Sequence, residues 1–383
     1  MIESMKRYKT KDIAPFSYFS GPVYIDDQFI FSAPEMPISV DMIKALEEWE
    51  VNEVYCKGDN TDDNRGPLFW DDDPDDPDDH SSSIKRSITR AEVFYTSFLA
   101  YARNLFVHAT VGNELSFDHV AAKIKELCDH IKHDKTMLLR VQEKFKTNTD
   151  DNYLASHSVK TAIISIIIGT YFKLPAHRLI ELGVAAMVHE IGMVRLPTRI
   201  YLSKGPLKAL EKKAIISHPA QGYDMLKSYG FPLSIMLAAL EHHERDNGSG
   251  YPRNLTSEKI SLYAKIIAVV CSYEAISSKR PHREAKDGYT GMLELLRNDG
   301  KQYDDTVIRA LVYSLSLYPI GLYVLLSNDW RGQVVDSNPD DPRYPVVQVF
   351  AEHNPGGINR IIQTSQEEIY ITRPLSPSEV IIS

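Results

Sequence analysis

The sequence predicts a mainly α protein, with a small α/β piece at its N-terminal end and a β-rich piece at its C-terminal end. Three observations carry that expectation. From residue 88 to about 317, apolar residues recur at helical spacing in one segment after another. Before residue 57 and after residue 320, short β-prone runs are broken by Pro and Gly. Residues 57–87 are so rich in Asp, Pro, Gly and Ser that they cannot bury a core and read as a mobile linker. At roughly 150 residues per domain, 383 residues leave room for two domains, or for one large domain with additions.

In chain order, residues 1–56 mix β-prone runs at 22–25, 29–31 and 51–56 with one amphipathic helix. In that helix Val40, Ile43, Leu46 and Trp49 repeat at helical spacing after Ser39, an N-cap residue type. Residues 88–150 are connecting helices, expected at 89–109 and 116–145. Within 151–320 the helical faces fall at 157–172, 177–190, 233–242, 260–277 and 303–317. Residues 321–383 turn β-like at 323–327, 332–336, 346–350 and 368–371.

Composition narrows the class. Apolar residues make up 43% and charged residues 25%, as in ordinary soluble globular proteins. Cys56, Cys128 and Cys271 are too few and too scattered for a disulfide framework, so a reducing cytoplasm is expected. The first twelve residues are charged and polar, with no secretory signal. The longest apolar run, 162–172, is broken by Ser165, Gly169 and Thr170 and falls short of the roughly 20 residues of a membrane span. The net charge is −9, but seven aspartates sit together in DDDPDDPDD at 71–79, a solvated charge run; without them it falls to −2. No basic field announces DNA or RNA. No G-x-G-x-x-G, P-loop or G-x-S-x-G pattern is present either.

The chemistry lies in the histidines. Of thirteen, five fall at expected helix ends or junctions: His157, His189, His218, His242 and His243. Glu190 follows His189 directly at the end of the apolar run GVAAMV, and successive helix residues point about 100° apart, so such a pair can serve two neighbouring ions. His218 precedes Pro219, which suits a first helical turn. His242 and His243 close a helix before the turn residues DNGSGYP. Imidazoles with carboxylates are the donor set of a borderline divalent metal such as Fe, Mn or Zn.

The motifs then become specific. HSVKTA, ELGVAAMVHEIGMVRLP, LSKGPL, ISHPAQGYDML, EHHERDNGSGYPRNL, IIAVVCSYEAISSKRPHREA and YDDTVIRAL follow one another in order from about residue 153 to 317. In these the chain resembles the HD-GYP family, a branch of the HD superfamily of metal-dependent phosphohydrolases whose known members act on cyclic di-GMP. Residues 12–56 resemble the small domain that often precedes such modules, which implies a regulatory role. The segment SLYPIGLYVLLS resembles a β-rich extension that some of them carry.

The resemblance implies an HD-type helical bundle over 151–320 and a centre of two or three ions, Fe or Mn with Zn also admitted. His157, His189, Glu190, His218, His242, His243 and Cys271 are its implied ligands. A metal-bridging water near His189 and Glu190 would attack the phosphodiester, giving pGpG, GMP or both. Arg280, Arg283, Tyr251 and Gly250 are implied contacts to the ligand's phosphates. The implied partner is cyclic di-GMP, with room for a homodimer or a signalling-protein partner.

Six positions depart from the family. Glu190 stands where the family has Asp, adding a methylene. Cys271 replaces a ligating Asp with a softer thiolate, and Glu274, one helical turn on, is the alternative that could reach the site instead. Met193 replaces the lysine of HDIGK, Tyr153 replaces a carboxylate used by some members for a third ion, and Asp246-Asn247 replaces Trp-Asp. A degenerate member that binds cyclic di-GMP or a partner without turnover is therefore the alternative to a working phosphodiesterase.

Overall fold

The structure is a computed structural model and describes residues 5–13, 18–19, 23–26, 30–32, 38, 43–44, 46–47, 49, 51–57, 60–61, 80–144, 153–203, 205–278, 286–350, 360–365, 368–376 and 379–380. It divides into two compact units, Met1–Asp79 and His80–Ser383.

In the first unit, strands β1 (Lys6–Lys9), β3 (Val23–Tyr24), β4 (Ile30–Ser32) and β5 (Glu53–Cys56) form an antiparallel sheet in the order β1-β5-β3-β4. Lys6 and Val23 pair on either side of Cys56. A two-stranded ribbon joins β2 (Tyr18–Phe19) to β6 (Asn60–Thr61). The core is Ile13, Phe19, Val23, Ile38, Leu46, Val54 and Cys56. Ile43 and Leu46 are helical as expected, but Trp49 lies at a turn and is 57% exposed, so the apolar stripe ends at Leu46. Ser39, Val40 and the acidic tract 71–79 lie outside the described residues.

The second unit opens with α1 (His80–Thr110), which starts inside the expected linker, seven residues before its end, and α2 (Phe117–Lys144). The centre of the bundle is α3 (Tyr153–Tyr171), in which every residue from Leu154 to Gly169 is buried. A helix apolar nearly all round has no solvent face and takes the middle of the core. Around it pack α1, α4 (Ala176–Val188), α9 (Leu262–Ser277) and α11 (Asp305–Leu315), while α8 (Leu233–Glu241) packs on α4 and α9. Their starts are written locally: the Ser261 hydroxyl accepts from Ala264 N–H, and the Asp304 carboxylate from Thr306 and Val307 N–H. Such caps are worth about 1 kcal/mol each. Two shorter helices escape the sequence pattern, α6 (Ala209–Ile216) and α10 (Gly288–Arg297); α6 has no buried residue, so it carries no apolar stripe to read. The remaining helices are α5 (Thr198–Tyr201) and α7 (His218–Ser228). No helix among the described residues is long and apolar enough to cross a membrane.

The chain ends in a five-stranded antiparallel sheet built from β7 (Tyr323–Leu326), β8 (Arg331–Asp336), β9 (Val346–Val349), β10 (Arg360–Gln363) and β11 (Ile371–Pro374), in the order β10-β9-β8-β7-β11. The strand expected at 368–371 lies later, and β10 was not foreseen. Pro374 sits in β11 because that strand is an edge, where one ladder N–H can be missing. The sheet is tied to α2 by the Arg140 guanidinium, which donates to Val335 O at 3.1 and 2.8 Å, and by the Thr136 hydroxyl on Asp336.

Candidate metal centre

Seven of the expected ligands converge. Glu190, His218, His242 and His243 form one group whose donor atoms lie within 4.8 Å of one another, and His157, His189 and Cys271 form a second. The elements that place them share a local device. His189 follows α4, His218 follows the last turn of α6, and His242 follows α8. Each donates its Nδ1–H to a carbonyl three residues back: Ala186 O at 2.7 Å, Ile215 O at 2.6 Å and Ala239 O at 2.8 Å. The last carbonyls of a helix lack intrahelical partners, so a histidine there caps its own helix. A carbonyl can only accept, so Nδ1 carries the proton and Nε2 is left bare and fixed in direction. The negative ends of α4 and α8 also favour a cation nearby.

His157 differs from its expected place. It lies in the second turn of α3 rather than at a helix end, because that helix starts at Tyr153. Its orienting partner is Glu274, whose Oε2 accepts from His157 Nδ1 at 2.6 Å. The alternative of Glu274 as a ligand in place of the missing aspartate is thereby corrected. One turn beyond Cys271 on α9, its carboxylate reaches the far side of the His157 ring.

The ring Nε2 atoms then face one another. His157 Nε2 is 3.3 Å from His189 Nε2, and His218 Nε2 is 3.2 Å from His242 Nε2. Two lone pairs at that separation repel unless a proton or a metal cation sits between them. Cys271 Sγ is 3.2 Å from His189 Nε2. Glu190 spans both groups: Oε1 is 3.9 and 3.8 Å from His157 and His189 Nε2, and Oε2 is 3.3 Å from His218 Nε2. Glu190 Oε2 is buried with no hydrogen-bond partner among the described residues. A buried carboxylate oxygen left open costs free energy unless something positive meets it. The residues present therefore fit divalent metal and could hold it in either group.

The electrostatics agree. Burial, then the neighbouring rings, holds the His242 and His243 imidazoles well below their ordinary pKa, and burial lowers that of His218, so all three are neutral donors. Burial works against ionisation of Cys271, but His189 and His157 outweigh it and bring the thiol down to about 6. Burial likewise opposes the Glu190 carboxylate, yet His218 and the other rings hold it near 2. Burial opposes the charged form of His157, but the Glu274 carboxylate wins and raises it well above the usual range. Metal entering that pocket displaces a proton.

Tyr251 stacks on His243 with ring centres 4.7 Å apart, and burial followed by the Glu190 charge keeps it a phenol able to donate. Gly250 serves the loop itself: a Cβ there would lie 2.4 Å from Glu244 Cα and 2.3 Å from Arg245 N. Met193 is buried, and Tyr153 stacks on His157 at 6.1 Å. Asp246 accepts from the Ser257 hydroxyl, and Asn247 Oδ1 from Ser249 N–H, so both build the turn. Arg280 and Arg283 lie outside the described residues.

Two buried glutamates flanking the tandem histidines were missed by sequence reasoning. Glu244 accepts from Arg253 N–H at 2.7 Å and Leu255 N–H at 2.9 Å, and Glu241 accepts from Ser261 N–H at 2.8 Å and pairs with Arg253. The signal was there in EHHER, where charged residues flank histidines that end an apolar helix. Glu244→Ala leaves two amides of the loop without their acceptor. We expect a loss of about 1–3 kcal/mol per stranded group, read from urea unfolding; an unchanged midpoint would show that the clamp is not what holds the loop.

The family model for the HD domain matches residues 148–307, the stretch that holds every one of these donors. Curated relatives include the cyclic di-GMP phosphodiesterase PdeB of Borreliella burgdorferi, 29% identical over 202 residues, covering 53% of this chain and 53% of that one. The cyclic di-GMP phosphodiesterase PA4108 of Pseudomonas aeruginosa is 28% identical over 270 residues, covering 70% of this chain and 64% of that one. Residues 148–307 are an HD domain, and the curated relatives place it with the HD-GYP type. The chain spans about half to two-thirds of the length of these HD-GYP relatives. Among solved structures, Bd1817, an HDG"Y"P protein from Bdellovibrio bacteriovorus, superposes with a TM-score of 0.52 at 13% identity, covering 80% of this chain and 98% of that one. At that identity the likeness concerns the fold alone.

Proposed function

We propose that this protein is a metal-dependent phosphodiesterase that hydrolyses cyclic di-GMP to pGpG, GMP or both, in the cytoplasm. The observation that carries the reading is the two facing pairs of Nε2 atoms from four buried histidines, joined by the two oxygens of Glu190. That the curated relatives are named for this activity supports the substrate. Two ions of the Fe or Mn class, with Zn admitted, suit the donor sets, and a stacked Tyr153 where a third carboxylate would stand favours two over three.

When bound, the ions supply Lewis acidity and a water acidified towards neutrality. The chain's residues do the rest. Glu190 faces both pockets and fixes their separation. Glu274 and the carbonyls of Ala186, Ile215 and Ala239 lock four rings in one tautomer each. Tyr251 offers its phenolic hydroxyl to a phosphate oxygen. Arg280 and Arg283 are proposed as the phosphate clamp, since a guanidinium fork matches phosphate oxygens and cannot ligate metal. Arg280→Ala should weaken cyclic di-GMP binding by about 1.5–3 kcal/mol, the range for a hydrogen bond to a charged group, with metal content unchanged. Equal affinity in calorimetry would remove that residue from the clamp.

The substitutions at Glu190, Cys271 and Met193 favour a second reading, a receptor that binds cyclic di-GMP or a signalling partner without turnover. Incubating the protein with cyclic di-GMP and Fe(II) or Mn(II), and separating the products, decides between the two. We expect pGpG or GMP, slower than in members with the full carboxylate set. Tight binding with no product after long incubation would establish the receptor.

A further inference from the structure

We propose that the centre is built for two different ions: the pocket of His157, His189 and Cys271 takes a thiophilic ion of the zinc class, and the pocket of Glu190, His218, His242 and His243 takes a harder ion of the iron or manganese class. The inference rests on the two-ion reading above and deepens it.

The two donor sets are unequal. The first offers two imidazole nitrogens and one sulfur, with Sγ 3.2 Å from His189 Nε2. Adding Glu190 Oε1, which faces this side, completes a set of four. Four donors including a thiolate are what zinc holds in tetrahedral sites, and soft sulfur selects against manganese and magnesium. The second set has three imidazoles and Glu190 Oε2, with no sulfur. Nitrogen and oxygen donors of that kind suit iron or manganese, which accept further oxygen ligands from water or phosphate. The two carboxylate oxygens are divided one to each pocket, so the ions are neighbours in different surroundings. Cys271 is also fixed in place: α9 is an uninterrupted helix, and outside the centre Sγ meets the Thr161 hydroxyl at 3.9 Å.

Cobalt reads the sulfur directly, because a cobalt–thiolate bond gives a near-ultraviolet charge-transfer band that nitrogen and oxygen donors do not. Metal-free protein with two equivalents of Co(II) should bind two ions and show the band. One equivalent of Zn(II) added first should abolish the band while one cobalt remains bound, by elemental analysis. Cys271→Ser, and Cys271→Asp should the serine variant fold poorly, should lose the band. His242→Ala should lose one cobalt and keep it. Two cobalt ions bound without the band, or a band that survives pre-bound zinc, would overturn the inference and leave the two-ion reading standing. Fewer than two cobalt ions bound to wild type would overturn the two-ion reading itself.

Discussion

His189→Ala should lose the metal of the cysteine-bearing pocket and with it the hydrolysis of cyclic di-GMP. The fall in rate should exceed the roughly 100-fold that a 1 Å misplacement near the reacting atoms costs. The reason is position. His189 Nε2 lies 3.3 Å from His157 Nε2, 3.2 Å from Cys271 Sγ and 3.8 Å from Glu190 Oε1, so its ring faces three other candidate donors at once. Truncating a ring that merely orients a ligand typically costs 10–100-fold in metal affinity, and removing a ligand costs more. Elemental analysis of the purified variant, beside His177→Ala as an exposed control, checks the metal. Product separation checks the rate. Full metal content in His189→Ala would mean that the facing nitrogens are not a metal site.

Gly192→Ala should damage the same centre by a different route. A Cβ at Gly192 would lie 2.0 Å from His218 O and 2.6 Å from Gly222 N, and these are backbone atoms that no rotamer change can move aside. Either the 3-10 turn Ile191–Arg195 or the start of α7 must shift, and His218 opens α7. Overpacking costs about 1–3 kcal/mol and occasionally more; with backbone on both sides, the upper end is expected here. At about 2–4 °C per kcal/mol for a domain of this size, the variant should melt several degrees lower. Its metal affinity should fall too, because Glu190 Oε2 and His218 Nε2 are held 3.3 Å apart from opposite sides of that contact. A wild-type melting temperature with wild-type metal content would show that the turn can move freely.

Helix ends are local events, and that is why so much of the site is legible in the chain. A histidine just past an apolar helical run finds unpartnered carbonyls behind it, so His189, His218 and His242 could be placed by pattern alone, and their Nδ1 bonds follow from it. His157 could not be placed this way, because its helix is buried on every side and its apolar pattern has no edge to mark where it starts. Arg280 and Arg283 rest on the motif and lie outside the described residues.

By itself the sequence determined the helical core, the flanking sheets, the ordered motifs and the list of residues able to ligate. Short-range periodicity and capping chemistry act within a few residues, and a single chain displays them openly. Only the tertiary structure decided how the seven donors divide, with Cys271 beside His157 and His189, and Glu190 between the two groups. It also decided that Glu274 orients a ring and does not replace the aspartate, and that Gly192 and Gly250 exist for backbone contacts. The physical reason is sequence distance: α3, α4 and α9 bring together residues 32 and 82 positions apart, and which face of each helix meets the others is settled by packing of the whole core.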